Sequence, residues 1–415
     1  MKIKSFGNAR ASLAVMIALM TTYSFICMSK NCFSAAMVFI VDEGLLTKVE
    51  TGTITSVFYV AYAILQVVGG FVSDRVDPNR LITVGMIGAG AANLVIFLNQ
   101  NYTVMLVTWV LNGILQFGVW PACFKIMSTV LHEKHRDVGM YIASFGYALG
   151  AVVSYLLAAV VPNWRDSFLL SGVLLLALGV MWEVVTHLLD KYRTVEVVAV
   201  ETPKMKSEDS KPLFKLVLTS GVGIVFVLAF IRCMFDLGIK SLTPTLINES
   251  YSEVDPTLAT FLNIIVLVAG VVGPTVAHFI YPRFFKSETA AATVIFFAAV
   301  PLMAVTLFVG SISYWVILAM MTLIEMLMTA AGFFATTLIP ARFNKWGKGG
   351  TVAGIMNALA ALGIVAANSI STAIAEAFGW VVMLGSWVVL MVLCAVLSLI
   401  TVPMWKRFLK NDFYK

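Results

Sequence analysis

The sequence predicts an all-α membrane protein with twelve transmembrane helices in two six-helix halves, on three observations. Hydrophobic residues fill 60% of the 415 positions and charged residues 12%, with a mean hydropathy of +0.93, well outside the range of soluble domains. Twelve apolar stretches are each long enough to cross a bilayer, which takes about 20 helical residues. They fall near 11–40, 51–72, 81–99, 103–131, 139–162, 168–189, 216–248, 257–281, 289–309, 314–340, 350–376 and 380–404. Between the sixth and seventh, residues 190–215 are polar and mixed in charge and read as a solvated linker. The halves are then 1–189 and 216–415.

The first stretch follows Lys2, Lys4 and Arg10 but is too long for a cleaved leader, so it is expected to remain as a span. With the N-terminus in the cytoplasm, alternation puts Arg75, Arg80, Lys134, Arg136, Arg283, Lys286, Arg342, Lys345 and Lys348 on the cytoplasmic side, and only Lys48 and Arg165 outside. This predicts a multi-pass protein of the cytoplasmic membrane with both termini cytoplasmic. The net charge of +6 therefore reports topology and not a nucleic-acid partner. Cys27, Cys32, Cys123, Cys233 and Cys394 lie in apolar stretches with no paired or metal-ligand spacing, so no metal is implied. No nucleophile–base set or phosphate loop appears, so an enzyme is not expected, and no cofactor is implied.

The second and third stretches are joined by Gly70-Phe-Val-Ser-Asp74-Arg75-Val-Asp-Pro-Asn-Arg80. Gly70 permits close helix approach, Asp74 can meet helix ends or cations, and Arg75 and Arg80 mark the cytoplasmic surface. These four form a candidate gating loop. The matching place in the second half, after Gly273-Pro274-Thr275-Val276, has Ala277 and His278 and no acid, with Arg283 and Lys286 further on.

A charge within a span costs about 2.5–3.5 kcal/mol even on the lenient insertion scale, so each needs a partner, a cavity or a route to the surface. Six such residues stand out: Lys30, Lys125, Arg232, Asp236, Lys240 and Glu325. Arg232, Asp236 and Lys240 recur every four residues and share one helix face, with the acid between two bases. That face is either a self-neutralising ladder or a cavity wall on which Asp236 exchanges partners or protons. Glu325 has no base nearby in sequence; burial favours the protonated form of such a carboxyl, making it a second candidate proton carrier. Four bases against two acids give a cavity that leans positive. Asn31, Tyr62, Gln66 and Tyr147, also within spans, could orient a ligand or join helices by hydrogen bonds.

Several stretches taken together resemble the organophosphate:phosphate antiporter (glycerol-3-phosphate transporter-like) branch of the major facilitator superfamily. Lys30-Asn31 with Met37 and Glu43-Gly44 resembles that family's first span, Tyr62 falls on its second, and Gly70 with Asp74-Arg75, Pro78 and Arg80 on its loop. Trp120-Pro121-Ala122-Cys123 with Lys125 resembles its fourth span, Thr243-Pro244-Thr245 the end of its seventh, Thr351 to Gly354 the start of its eleventh, and Phe378-Gly379-Trp380 its last outer turn. The resemblance implies the major facilitator fold and alternating-access transport. It also implies that the phosphate-binding arginines of spans one and seven are absent, since Ser29 and Asp236 stand there, while Gln66 and Tyr147 replace a lysine and a histidine. A site without both guanidinium forks cannot hold a phosphate dianion in the same way.

The expected function is secondary active transport of a small organic anion or zwitterion, coupled to a proton or another ion, in a protein that reads as a monomer. Lys30, Asn31, Tyr62, Gln66, Tyr147, Arg232, Asp236 and Lys240 would bind substrate; Asp236 and Glu325 would carry the proton. Proton-antiport efflux of a cationic or amphipathic compound, with Asp236 as counter-charge, is the second expectation, and a non-transporting membrane sensor the third.

Overall fold

The computed structural model describes residues 3–197, 213–343 and 349–413, with side chains described except at 3–4, 66–71, 73–75, 128–129, 133, 136–138, 140–145, 195–197, 213, 337, 341, 349–351, 353 and 411–413. Two compact units divide the chain, Met1–Pro203 and Lys204–Lys415.

The N-terminal unit contains α1 (Ala9–Asp42), α2 (Lys48–Arg75), α3 (Pro78–Leu98), α4 (Tyr102–Leu115), α5 (Val119–Lys125), α6 (Glu133–Val160) and α7 (Trp164–Leu189). Local chemistry fixes their ends. Thr47 and Glu50 form a reciprocal capping box at the start of α2. Asp77 accepts from the Asn79 amide at 3.0 Å, with Pro78 in the first helical position, so the α2–α3 turn is closed by a cap. In the fourth span α4 gives way to α5 after residues 116–118, and a π-helical turn, Ile126–Val130, follows.

The C-terminal unit contains α8 (Leu213–Ser220), α9 (Val222–Ser250), α10 (Pro256–Phe284), α11 (Glu288–Val305), α12 (Tyr314–Phe333), α13 (Ile339–Arg342), α14 (Gly349–Ala366), α15 (Thr372–Phe378) and α16 (Trp380–Phe413). The seventh span starts at Val222 and not at 216, because Gly221 adopts φ +76° and breaks the helix after α8. Among the described residues ten helical segments are long and apolar enough to cross a membrane; α2 and α6, each of 28 residues, complete the twelve-helix membrane fold. Exposed Ile64, Leu98, Phe279 and Val389 belong to its apolar outer surface.

One feature lies outside the helical expectation. Strand β1 (Ile3–Phe6) pairs antiparallel with β2 (Arg193–Val197), so the first part of the stretch read as a linker is hydrogen-bonded to the N-terminus. Phe6 is buried against the N-terminal core, and the Arg193 guanidinium lies 5.5 Å from its ring centroid.

The packing inside each unit repeats. The first span packs on the fifth and sixth, the second on the fourth, and the third on the sixth: α1 on α6 and α7, α2 on α4 and α3 on α7 in one unit; α9 on α14 and α16, α10 on α12 and α11 on α16 in the other. A polar contact repeats with it. Trp164 Nε1 donates to Glu43 Oε1 at 3.0 Å, joining the end of the first span to the start of the sixth, and Trp380 Nε1 donates to Glu249 Oε2 at 2.8 Å, joining the seventh to the twelfth.

At the start of α11, buried Glu288 accepts from Arg342 Nε and Nη2 at 2.8 and 2.7 Å and from Trp405 Nε1 at 2.9 Å. Glu288→Ala would orphan the fully buried Trp405 indole and leave a cavity, while Arg342, 43% exposed, can turn to water. The expected loss is about 2–3 kcal/mol. A melting temperature equal to that of the unmodified protein in detergent would contradict it.

Candidate functional site

In the N-terminal unit the site is built on α1. Lys30 is 6% exposed, and its Nζ lies 4.2 Å from the centroid of the Tyr62 ring on α2. Among the described residues it has no ion-pair partner. Beside it, Asn31 donates through Nδ2 to the Cys27 carbonyl at 2.7 Å and accepts through Oδ1 from the Tyr147 hydroxyl of α6 at 3.5 Å. Lys30, Asn31, Tyr62 and Tyr147 thus come together from three helices. Ser29 accepts through Oγ from Asn93 Nδ2 of α3 at 2.7 Å, so that position serves helix–helix contact. Lys125 is partly buried near the end of α5 and has interactions of its own. Arg80 is exposed in the first turn of α3. Gln66, Gly70, Asp74 and Arg75 lie along α2 with their side chains outside the described residues.

In the C-terminal unit the four-residue spacing on α9 does produce a ladder. Asp236 Oδ2 accepts from Arg232 Nη1 at 2.9 Å, and Oδ1 accepts from Lys240 Nζ. Lys240 Nζ also lies 2.8 Å from Oε1 of Glu325 on α12, whose side chain is fully buried. The base absent from the sequence neighbourhood of Glu325 is therefore supplied across the helix interface. Arg232 is further held by the Met328 carbonyl at 3.2 Å, and the Lys240 carbonyl by Asn263 Nδ2 of α10 at 2.8 Å.

The six charged residues divide unevenly between the two units. With both acids ionised, Arg232 and Lys240 balance Asp236 and Glu325, so this cluster is neutral as a set; the surplus positive charge among the six residues belongs to Lys30 and Lys125.

Two glycines missed in the sequence make room for the cluster. A Cβ on Gly270 would sit 2.9 Å from Glu325 Oε1 and 3.3 Å from Lys240 Nζ, and one on Gly332 would sit 2.7 Å from Arg232 Nη1. The only sequence signal was a small residue facing a charged helix. Gly332→Ala is expected to push the guanidinium off Asp236 and cost about 1–2 kcal/mol from overpacking. The check is thermal unfolding together with transport rate; a variant unchanged in both would show that the guanidinium has room to spare.

Comparison with known proteins bears on what such a site does. Residues 19–367 match the family model for the Major Facilitator Superfamily. The glycerol-3-phosphate transporter of Bacillus subtilis is 23% identical over 329 residues, 74% of this chain and 71% of that protein. The membrane sensor protein UhpC of Salmonella typhimurium is 24% identical over 170 residues, 40% of this chain and 38% of the sensor, so the match spans under half of that relative. The crystal structure of a bacterial homolog to the human lysosomal transporter Spinster superposes with a TM-score of 0.76 at 14% identity, covering 97% of this chain and 99% of that one, which shows a shared fold.

Proposed function

The chain belongs to the Major Facilitator Superfamily, and from that premise we propose that it is a secondary active transporter moving a small organic anion across the cytoplasmic membrane by alternating access, coupled to protons. The observation that carries the anion is Lys30, a cation 6% exposed with no carboxylate at ion-pair distance among the described residues. Holding that charge out of water is costly unless an anion meets it part of the time, and a substrate that comes and goes is such an anion. Asn31, Tyr62 and Tyr147 supply hydrogen-bonding groups around it.

The coupling proton is assigned to Glu325. Asp236 is held by two bases, whereas Glu325 has only a share of Lys240, and protonating it breaks one contact while Lys240 keeps Asp236. Lys240 can thus pass between an acid pair and a single acid without ever losing a counter-ion. Bacterial relatives and the distribution of Lys and Arg support a cytoplasmic-membrane location with both termini inside.

The test uses proteoliposomes with a trapped pH indicator and a panel of organic anions. A transported anion should acidify the lumen as it enters, and an inward proton gradient should drive its accumulation. Glu325→Gln should keep exchange of labelled for unlabelled anion yet lose uphill accumulation at least tenfold. Binding with no flux would favour the sensor reading, which the relationship to UhpC keeps open. Efflux of cations has less support, because Asp236, its only proposed counter-charge, is matched by Arg232 and Lys240.

A further inference from the structure

We infer that the Lys30 site is built for a monocarboxylate that carries no cationic group, a narrower class than the organic anion proposed above and one that rests on the reading that this site receives the transported molecule.

The argument is charge matching within the N-terminal unit. Lys30 brings one positive charge to a cluster whose other described members, Cys27, Asn31 and Tyr62 with Tyr147 and the Tyr59 that bonds it, are a thiol, an amide and phenols and include no acid. Tyr62 offers the face of its ring, which attracts a cation but cannot neutralise it. One negative charge therefore completes the set, and a dianion leaves its second charge against phenols and an amide, with no second base among the described members of this cluster.

The donors point the same way. Lysine is a compact point charge with three rotatable N–H groups and lacks the planar fork with which arginine grips phosphate bidentately. A carboxylate, with one charge spread over two oxygens, is satisfied by one ammonium plus neutral hydrogen-bonding groups, and the polar groups beside Lys30, which already bond one another as Tyr147 does with Asn31, are of that neutral kind. Tyr62 and Tyr147 are only partly buried, so the cluster is open on their side, where the body of the ligand would lie.

A zwitterion needs an acid for its ammonium group. Among the described residues of this cluster there is none, and the Tyr62 ring is already covered by Lys30. The buried bases of the C-terminal unit already have acids of their own: Arg232 pairs with Asp236 on α9, and Lys240 with Asp236 and with Glu325 on α12.

The experiment is equilibrium binding to the purified full-length protein in detergent at about neutral pH, using matched compounds on two skeletons. One set is gluconate, its diacid glucarate, 6-phosphogluconate, the amino acid glucosaminate and methyl gluconate; the other is phenylacetate, phenylsuccinate, phenyl phosphate, phenylalanine and methyl phenylacetate. On at least one skeleton the monocarboxylate should bind tenfold or more tightly than its four counterparts. Lys30→Gln should erase that preference and Lys30→Arg should retain it, with size-exclusion profiles confirming that both variants are folded. Tighter binding of a diacid, phosphate or amino acid, equal binding of the methyl ester, a preference that survives Lys30→Gln, or no binding of either monocarboxylate would each overturn the inference. A monocarboxylate that binds through Lys30 but does not exchange in proteoliposomes would leave the site assignment standing and sink the transporter reading instead.

Discussion

Lys30→Met is expected to abolish transport and at the same time raise thermal stability. Methionine nearly matches the length and volume of the lysine stem, so packing around α1 is kept while the ammonium is removed. In the unmodified protein that ammonium is 6% exposed, lies 4.2 Å from the centroid of the Tyr62 ring, and has no carboxylate partner among the described residues. A cation–π contact is worth about 0.5–2 kcal/mol, against an effective desolvation penalty of several kcal/mol per buried ion. Without ligand, Lys30 is therefore a net cost to the fold. Losing the charge-assisted contact to a bound carboxylate should weaken binding by about 2–5 kcal/mol, on the order of thirty- to several-thousand-fold. Uptake in proteoliposomes and melting in detergent are the two readouts. Normal uptake removes Lys30 from the site; lost uptake with a lowered melting temperature makes it a structural residue.

What could be read before the structure followed range of interaction along the chain. Span positions are set by runs of apolar residues, and the ladder by a four-residue period on one helix, so both are local and both were legible. Glu325 with Lys240, Glu288 with Arg342 and Trp405, and the Glu43–Trp164 and Glu249–Trp380 contacts join residues far apart in sequence, and only helix packing brings them together. A clue to the last two was present: each half has an acid near the end of its first span and a tryptophan at the start of its sixth. The β1–β2 pair was hidden for another reason. Four residues of an otherwise helical chain give no periodicity, and β2 lies in a stretch whose polarity resembles a linker. Lys30 could be identified as costly from its place in an apolar run, but its surroundings of Tyr62, Tyr147 and Asn31 depend on three helices meeting.

Asp236→Asn separates the role of the ladder from that of the proton carrier. The substitution preserves shape, but the amide can accept through one atom only and presents a donor at the other. Either Arg232 or Lys240 then faces an N–H group at the position where it had a carboxylate oxygen. Their side chains are 8% and 15% exposed, so neither can reach water easily. Lys240 keeps Glu325, whereas Arg232 keeps the Met328 carbonyl as its oxygen acceptor among the described residues and loses its counter-ion. Removing one partner of a buried ion pair typically costs about 3–5 kcal/mol, and partial exposure of this set places the expected loss near the lower end. Transport should suffer as well, because Lys240, left with Glu325 alone, would hold it as a carboxylate and oppose the proton uptake assigned to it. Asp236→Asn should therefore be both less stable and slow in exchange, whereas Glu325→Gln, which leaves Arg232–Asp236–Lys240 intact, should be nearly as stable as the unmodified protein and lose only uphill accumulation. Thermal unfolding beside paired exchange and accumulation assays distinguishes the two. A stable Asp236→Asn protein that exchanges normally but fails to accumulate would transfer the coupling proton from Glu325 to Asp236; one that accumulates fully would remove Asp236 from the mechanism and from the ladder's charge balance alike.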